Sequence, residues 1–394
     1  PWGPAINYDE AGCDEVRKYV VQNALYWIDE YHLDGLRLDA IHGIFDFSPK
    51  HILLEIAESV HSRSELLDRE IHIISESDLN DPRLVSPREN GGLESDAQWS
   101  DDFHHSIHSY LTGERFGYYS DFGSLQDIKK SLESAFVYDG KYSEYRKRSH
   151  GAPCSEIPGD RFVSSMQNHD QVGNRPDGLR LSRLLPSSQL KIAAALLILS
   201  QSIPLLFMGE EYAETSPFYY FIDHSDRKVV RAVREGRKRE FESLQVKPEY
   251  IDPQAISTFS RSKLNHSLRK KRENKQMLDY YRELILLRKQ LTAFQNYSRD
   301  SITIKALEEQ NTIVMERAGL ADSALVVFVL GSKSVSISNI VKTREWNKIH
   351  DSTTLEHRLE QEYDSKPILN PKNNTSIFPP LSVTIYSTQK EKKA

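Results

Sequence analysis

Hydrophobic and polar positions along this chain fall into two textures. Between about residue 16 and residue 295, amphipathic helical stretches are each followed by a short apolar run that stops abruptly at polar residues. The stretch CDEVRKYVVQNALYWIDEYH leads into Gly35-Leu36-Arg37-Leu38-Asp39, and PKHILLEIAESVHSRSE leads into Ile71-His72-Ile73-Ile74-Ser75-Glu76. Shorter apolar runs follow at 97–99, 162–166 and 203–208, which makes five predicted strands. Strands that alternate with helices and read as buried runs predict a parallel sheet covered by helices. The chemically capable residues close each run at its C-terminal end, where a (β/α) barrel carries its active site. A final helix is predicted over 275–294. The segment between it and Asp226 is highly charged and weakly periodic, which fits a loop or helical excursion.

After about residue 298 the texture changes. The runs SITIKAL, NTIVMER, ALVVFVLG, SVSISNI and LSVTIYS alternate with Gly, Asn, Ser and Pro, as in a small antiparallel β domain. This divides the chain into 1–297, α/β, and 298–394, all β, with QKEKKA as a solvated end. The longest apolar stretch, 192–208, is too short for a membrane span and is broken by Ser200, Gln201, Ser202 and Pro204. It reads as a buried helix, a tight turn and a buried strand.

Composition narrows the function classes. The chain has 394 residues, 38% of them hydrophobic and 27% charged, as in an ordinary globular protein long enough for a large core. A formal net charge of −6 disfavours a nucleic-acid surface and suits a neutral substrate such as a sugar. Cys13 and Cys154 form no ligand pattern, and the opening Pro-Trp-Gly-Pro does not look like a signal peptide. Both point to a reducing, cytoplasmic compartment, with the thiols as small buried apolar groups.

Three strand ends carry candidate chemistry. In Gly35–Asp39 the side chains alternate, so Arg37 and Asp39 share one face. A guanidinium beside a carboxylate favours its ionised form, as a covalent glycosidase nucleophile requires. A structural Arg–Asp ion pair explains the run equally well. Glu76 closes the next apolar run, where desolvation suits a general acid. Lying one strand after Asp39, it is placed for the carboxyl spacing of about 5 Å found in retaining glycosidases. The third end, MQNHDQVGN, packs Asn168, His169 and Asp170 into one polar cluster, costly to bury without a function.

Together these motifs resemble the α-amylase superfamily, glycoside hydrolase family 13, whose pattern is G-x-R-x-D, then E, then H-D at successive strand ends. The resemblance implies Asp39 as nucleophile, Glu76 as acid/base and Asp170 as transition-state stabiliser. It counts Arg37, His42, Asn168 and His169 among the substrate-binding residues, and implies no metal and no cofactor. A narrower resemblance rests on PWGPAINYD, RLDAIH, ESDLNDPRLV, DAQWSDDFHHSIHSYLTGE, MQNHDQVGNR, FMGEEYAETSPFYYFIDHSD, AVREGRKREF and FPPLSVTIYS. These are similar to the maltooligosyltrehalose trehalohydrolase family. The reaction implied is hydrolysis of the α-1,4 bond next to a terminal trehalose. Rival readings are a 1,4-α-glucan branching enzyme or other superfamily member and, from another class, a non-catalytic α-glucan-binding protein.

Two features stand outside the triad. Asp101–His108 contains an HxxxH pair, His104 and His108, without the Glu of a zincin or a third ligand. Substrate contacts from Asp102 and His105 are the reading preferred to a metal. Phe218-Tyr219-Tyr220-Phe221 fits either stacking on sugars or loop packing.

The chain also departs from the superfamily: an Asn-His motif expected at the third barrel strand is absent. The expected fold is thus a partial (β/α)8 TIM barrel holding about strands 4–8, followed by the β domain. Five βα units leave two open edges. A fragment of a longer product, poorly soluble or inactive alone, is the expectation.

Overall fold

The computed structural model describes residues 5–243, 251–338, 340, 345–354, 369 and 375–388. Its first strands are β1 (Gly35–Leu38), β2 (His72–Ser75) and β3 (Ala97–Trp99). A small antiparallel hairpin follows, β4 (Asp139–Ser143) with β5 (Arg148–Gly151), then β6 (Phe162–Ser165) and β7 (Ile203–Leu205). Five of these form one parallel sheet in the order β1-β2-β3-β6-β7. All five strands predicted from apolar runs are present.

The helices between them start and stop for local reasons. α1 (Cys13–Tyr31) ends at His32 and α2 (Ile52–Leu67) at Asp68, both in the left-handed region. α3 (Asp101–Thr112) ends at Gly113, where a φ of 78° is free of a Cβ penalty. α4 (Leu125–Ser134) begins with a capping box: Ser124 accepts from the Asp127 N–H, and the Asp127 carboxylate accepts from that of Ser124. α1 and α2 cover the sheet by burying Ala24, Ile28, Ile52, Ile56 and Val60 against Ile71 and Ile73.

The 192–208 stretch resolves into the helix Ser187–Ile198, a turn and β7. One part of that expectation fails. Ile203 is 40% exposed because β7 pairs only with β6 among the described residues, so the strand is an edge rather than buried. The charged excursion contains the helix Arg227–Ser243, while 244–250 lie outside the described residues. The final helix runs Arg272–Gln290, with Leu291 dividing it from the short Thr292–Gln295. Cys154 is buried, which pushes its thiol up to about 11, whereas Cys13 is half-exposed at the first turn of α1.

The C-terminal part is antiparallel. It comprises β8 (Ile302–Leu307), β9 (Thr312–Ala318), β10 (Ser323–Val329), β11 (Val335–Ser338), β12 (Asn347–Asp351), β13 (Thr375–Phe378) and β14 (Ser382–Ser387). The main sheet has the order β12-β14-β10-β9-β8, and β11 pairs with β13. QKEKKA lies outside the described residues. One apolar cluster crosses residue 298: Ile192 and Leu196 meet Tyr280 and Leu284 on one side and Val326, Phe328 and Ile385 on the other. No described helix is long and apolar enough to cross a membrane.

Candidate active site

Alternation along β1 sends Leu36 and Leu38 toward the helix layer and Arg37 to the opposite face. There one guanidinium reaches three carboxylates. Its Nη1 donates to Asp39 Oδ1 at 2.6 Å, and its Nη2 lies 3.1 Å from Glu76 Oε1 and 3.9 Å from Asp170 Oδ2. The same group sits 4.2 Å above the Trp99 ring, which fixes its plane.

The backbone between these residues is tightly specified. After Asp39 the chain turns at Ala40, with φ 43°, a left-handed conformation that costs a non-glycine residue about 1 kcal/mol or more. That turn aims the Ala40 N–H at Glu76 Oε2, 2.6 Å away, while Ile41 N–H donates to the Glu76 carbonyl and Glu76 N–H to that of Leu38. Gly35 is required for a different reason: a Cβ there would lie 2.9 Å from the His72 carbonyl oxygen of β2. The glycine of the G-x-R-x-D run therefore lets the two strands approach.

Asp170 belongs to the short helix His169–Gly173 that follows β6. Asn168 caps it, its Oδ1 accepting from the N–H groups of Asp170 and Gln171 at 3.0 and 2.9 Å. His169 Nε2 is 3.3 Å from Asp170 Oδ2, on the open side of the site. His104 Nδ1 supports the strand end from behind by bonding the Met166 carbonyl at 2.8 Å.

Beside this constellation lies a pocket of about 300 Å³. Its wall carries Glu76, Asp78, Asp101, Asn168 and Asp170, together with His42, His105, Trp99 and Tyr118. The β4–β5 hairpin adds Tyr145 and Arg146 from its tip. Asp121 holds that tip by accepting from Tyr138 Oη, Ser143 Oγ and the Tyr145 N–H. Burial raises Asp78, but Arg146 at 3.0 Å and then His42 outweigh it and hold the carboxyl below the usual range. His105 stacks on Tyr118 with centroids 4.7 Å apart. Burial, then His108 and Arg146, push it down to about 3, so it meets a ligand as neutral imidazole.

Asp39, Glu76, Asp170 and Arg37 thus converge, with His42, His105 and Asn168 on the adjoining wall. His169 stands next to them but does not line the pocket. Asp102 is a correction. Its Oδ2 accepts from Asn80 Nδ2, Val137 N–H and Tyr138 N–H at 2.7–2.9 Å, away from the pocket. Its neighbour Asp101 faces the cavity instead, because adjacent residues of a helix's first turn point in different directions. Asp78, Tyr118, Tyr145 and Arg146 were also missed; only the turn-flanked alternation of YDGKYSEYRKRSHG hinted at a hairpin. Both ring nitrogens of His104 are taken, by Met166 O and Tyr119 Oη, and His108 Nε2 bonds Glu114. Among 218–221, Phe218 packs on Phe207 and Phe221, and Tyr220 lies under Arg237, which is loop packing outside this pocket.

No family model matches the chain. It is 53% identical over 290 residues to a malto-oligosyltrehalose trehalohydrolase of Saccharolobus solfataricus, which covers 74% of this chain and 49% of the relative. A protein of that name from Rhizobium sp. is 44% identical over 291 residues, covering 73% and 49%. A 1,4-alpha-glucan branching enzyme of Myxococcus xanthus is 32% identical over 132 residues, or 28% of this chain and 17% of the relative. Among solved structures, a putative alpha amylase from Salmonella typhimurium superposes with a TM-score of 0.81 and 34% identity, over 99% of this chain and 62% of that one. Over its matched stretch the chain therefore belongs with the malto-oligosyltrehalose trehalohydrolases of the α-amylase superfamily, about half of whose length it spans.

Proposed function

We propose that this chain carries the catalytic groups of a retaining glycosidase that hydrolyses the α-1,4 bond next to the terminal trehalose of maltooligosyltrehalose. The observation that carries this reading is the single guanidinium of Arg37 in reach of Asp39, Glu76 and Asp170, which follow β1, β2 and β6. Asp39 attacks the anomeric carbon from the open side of the site. Glu76, gripped by the Ala40 N–H at one oxygen, gives a proton to the departing oxygen and later takes one from water. Asp170 stabilises the oxocarbenium-like transition state, and Arg37 holds the three carboxyl groups in one place. His42, His105 and Asn168 line the substrate's path.

The five-stranded sheet, with two edges unpaired among the described residues, serves in this reading as part of a (β/α)8 barrel whose other strands lie outside this chain. The similarity to a branching enzyme supports a second reading, in which the same triad passes the glycosyl group to a sugar hydroxyl. Product analysis separates the two. Incubated with maltooligosyltrehalose, the protein that carries this chain releases free trehalose, and Glu76→Gln lowers that rate on the order of 10³-fold. Branched glucan without trehalose favours the second reading, and full activity in Glu76→Gln removes the acid/base role.

A further inference from the structure

Asp101 and Gln171 come from different strand ends, one opening α3 and the other following Asp170, yet they meet in the pocket wall. Gln171 Nε2 donates to Asp101 Oδ1 at 3.3 Å. Its other polar atom, Oε1, is buried and accepts no hydrogen bond among the described residues, and the residue is only 7% exposed. A buried acceptor left empty costs on the order of 1–3 kcal/mol, so it is expected to meet a donor when the pocket fills. Gln171 Oε1 is therefore a buried acceptor on the amide that holds the Asp101 carboxyl.

We propose that Asp101 and Gln171 act as one unit that binds two neighbouring hydroxyls of the sugar ring seated in this pocket. The inference rests on the functional reading above and adds a substrate-binding pair outside the three carboxylates. The amide fixes Asp101 Oδ1 and offers its own oxygen to one hydroxyl, and Asp101 Oδ2 meets the next. Burial, and then Asp102, Glu76, Asp78 and Asp170, push the Asp101 carboxyl up to about 7. Near neutrality a substantial fraction of it keeps its proton, so Oδ2 serves as donor while Gln171 Oε1 is acceptor. Sugar hydroxyls satisfy both, whereas a cation in this carboxylate-rich wall requires the ionised acid.

The test is steady-state trehalose release from maltooligosyltrehalose by the protein carrying this chain, with Asp101→Ala, Gln171→Ala, the double variant and Asp101→Asn. Each Ala variant is expected to raise KM about tenfold while kcat stays within about threefold, the scale of a lost hydrogen bond to substrate. The double variant is expected to be little worse than either single one, because each residue works through the other. Asn, which keeps a donor and an acceptor, restores most of the lost affinity. Unchanged KM in an active enzyme overturns the pair, as does a fall in kcat and thermal midpoint with KM untouched. Fully additive effects overturn the claim that the two act as a unit. A wild type that releases no trehalose overturns the functional reading, and this inference with it.

Discussion

At the residue scale, buried carboxyls decide more than their number suggests. Asp102 has three N–H donors on one oxygen, and Asp102→Ala strands all three in the interior. We expect a loss on the order of 3 kcal/mol, read from the urea midpoint, with Asn costing less because it keeps one acceptor. Glu210 is the opposite case. Burial pushes it up to about 8 from an ordinary 4.5, one of its oxygens lacks a partner, and the Tyr281 hydroxyl is 3.4 Å from the other. A carboxyl raised on folding contributes its stability fully below pH 4.5, and this is lost as pH rises toward about 8. Glu210→Gln removes that slope, so its stability relative to wild type climbs across the window and levels off above it. The ceiling is about 5 kcal/mol, from roughly 1.4 kcal/mol per tenfold in proton affinity. Unfolding free energies at several pH values check this, and a difference independent of pH refutes it.

At the element scale, the helix Ser187–Ile198 is the hinge of the architecture, and its C-terminal end is tied down by guanidinium groups. Arg288 Nη1 donates to the carbonyls of Ile198 and Ser200. Arg317 Nη1 donates to those of Leu199 and Ser200, while its Nη2 reaches Asn296 O. The helix supplies no basic residue in its own last turn, so the C-terminal sheet and the final helix provide the compensating charge. Arg317 is fully buried in β9, and burial, with Arg288 beside it, pushes it down to about 9. Arg317→Met keeps the volume but leaves carbonyls unpaired, and a loss on the order of 2 kcal/mol in thermal or urea unfolding is expected. An unchanged midpoint excludes the tie. The same element shows what pattern alone misses: apolarity marked β7 as a strand, but only the sheet order makes it an edge.

At the scale of the molecule, the parallel sheet ends on both sides at strands without outer neighbours among the described residues, β1 and β7. Next to β1, α1 exposes Tyr26, Trp27 and Tyr31, packed on one another in water. Open strand edges beside an apolar face invite pairing with another chain. Residues 1–394 by themselves are therefore expected to assemble with rising concentration in sedimentation velocity. A monomer at every concentration would overturn the proposal that the sheet needs further strands.

The sequence by itself determined the five parallel strands, the antiparallel C-terminal part and the run holding Arg37 and Asp39, because periodicity and strand-end polarity are local properties. It also marked Glu76 and Asp170, through position relative to apolar runs. Tertiary structure alone decided that Arg37 reaches all three carboxylates, that Asp101 rather than Asp102 faces the pocket, and that a hairpin brings in Tyr145 and Arg146. The physical reason is direction. Alternation in a strand assigns a face, but at a helix's first turn adjacent residues diverge, and which one meets a cavity depends on elements far away in the chain.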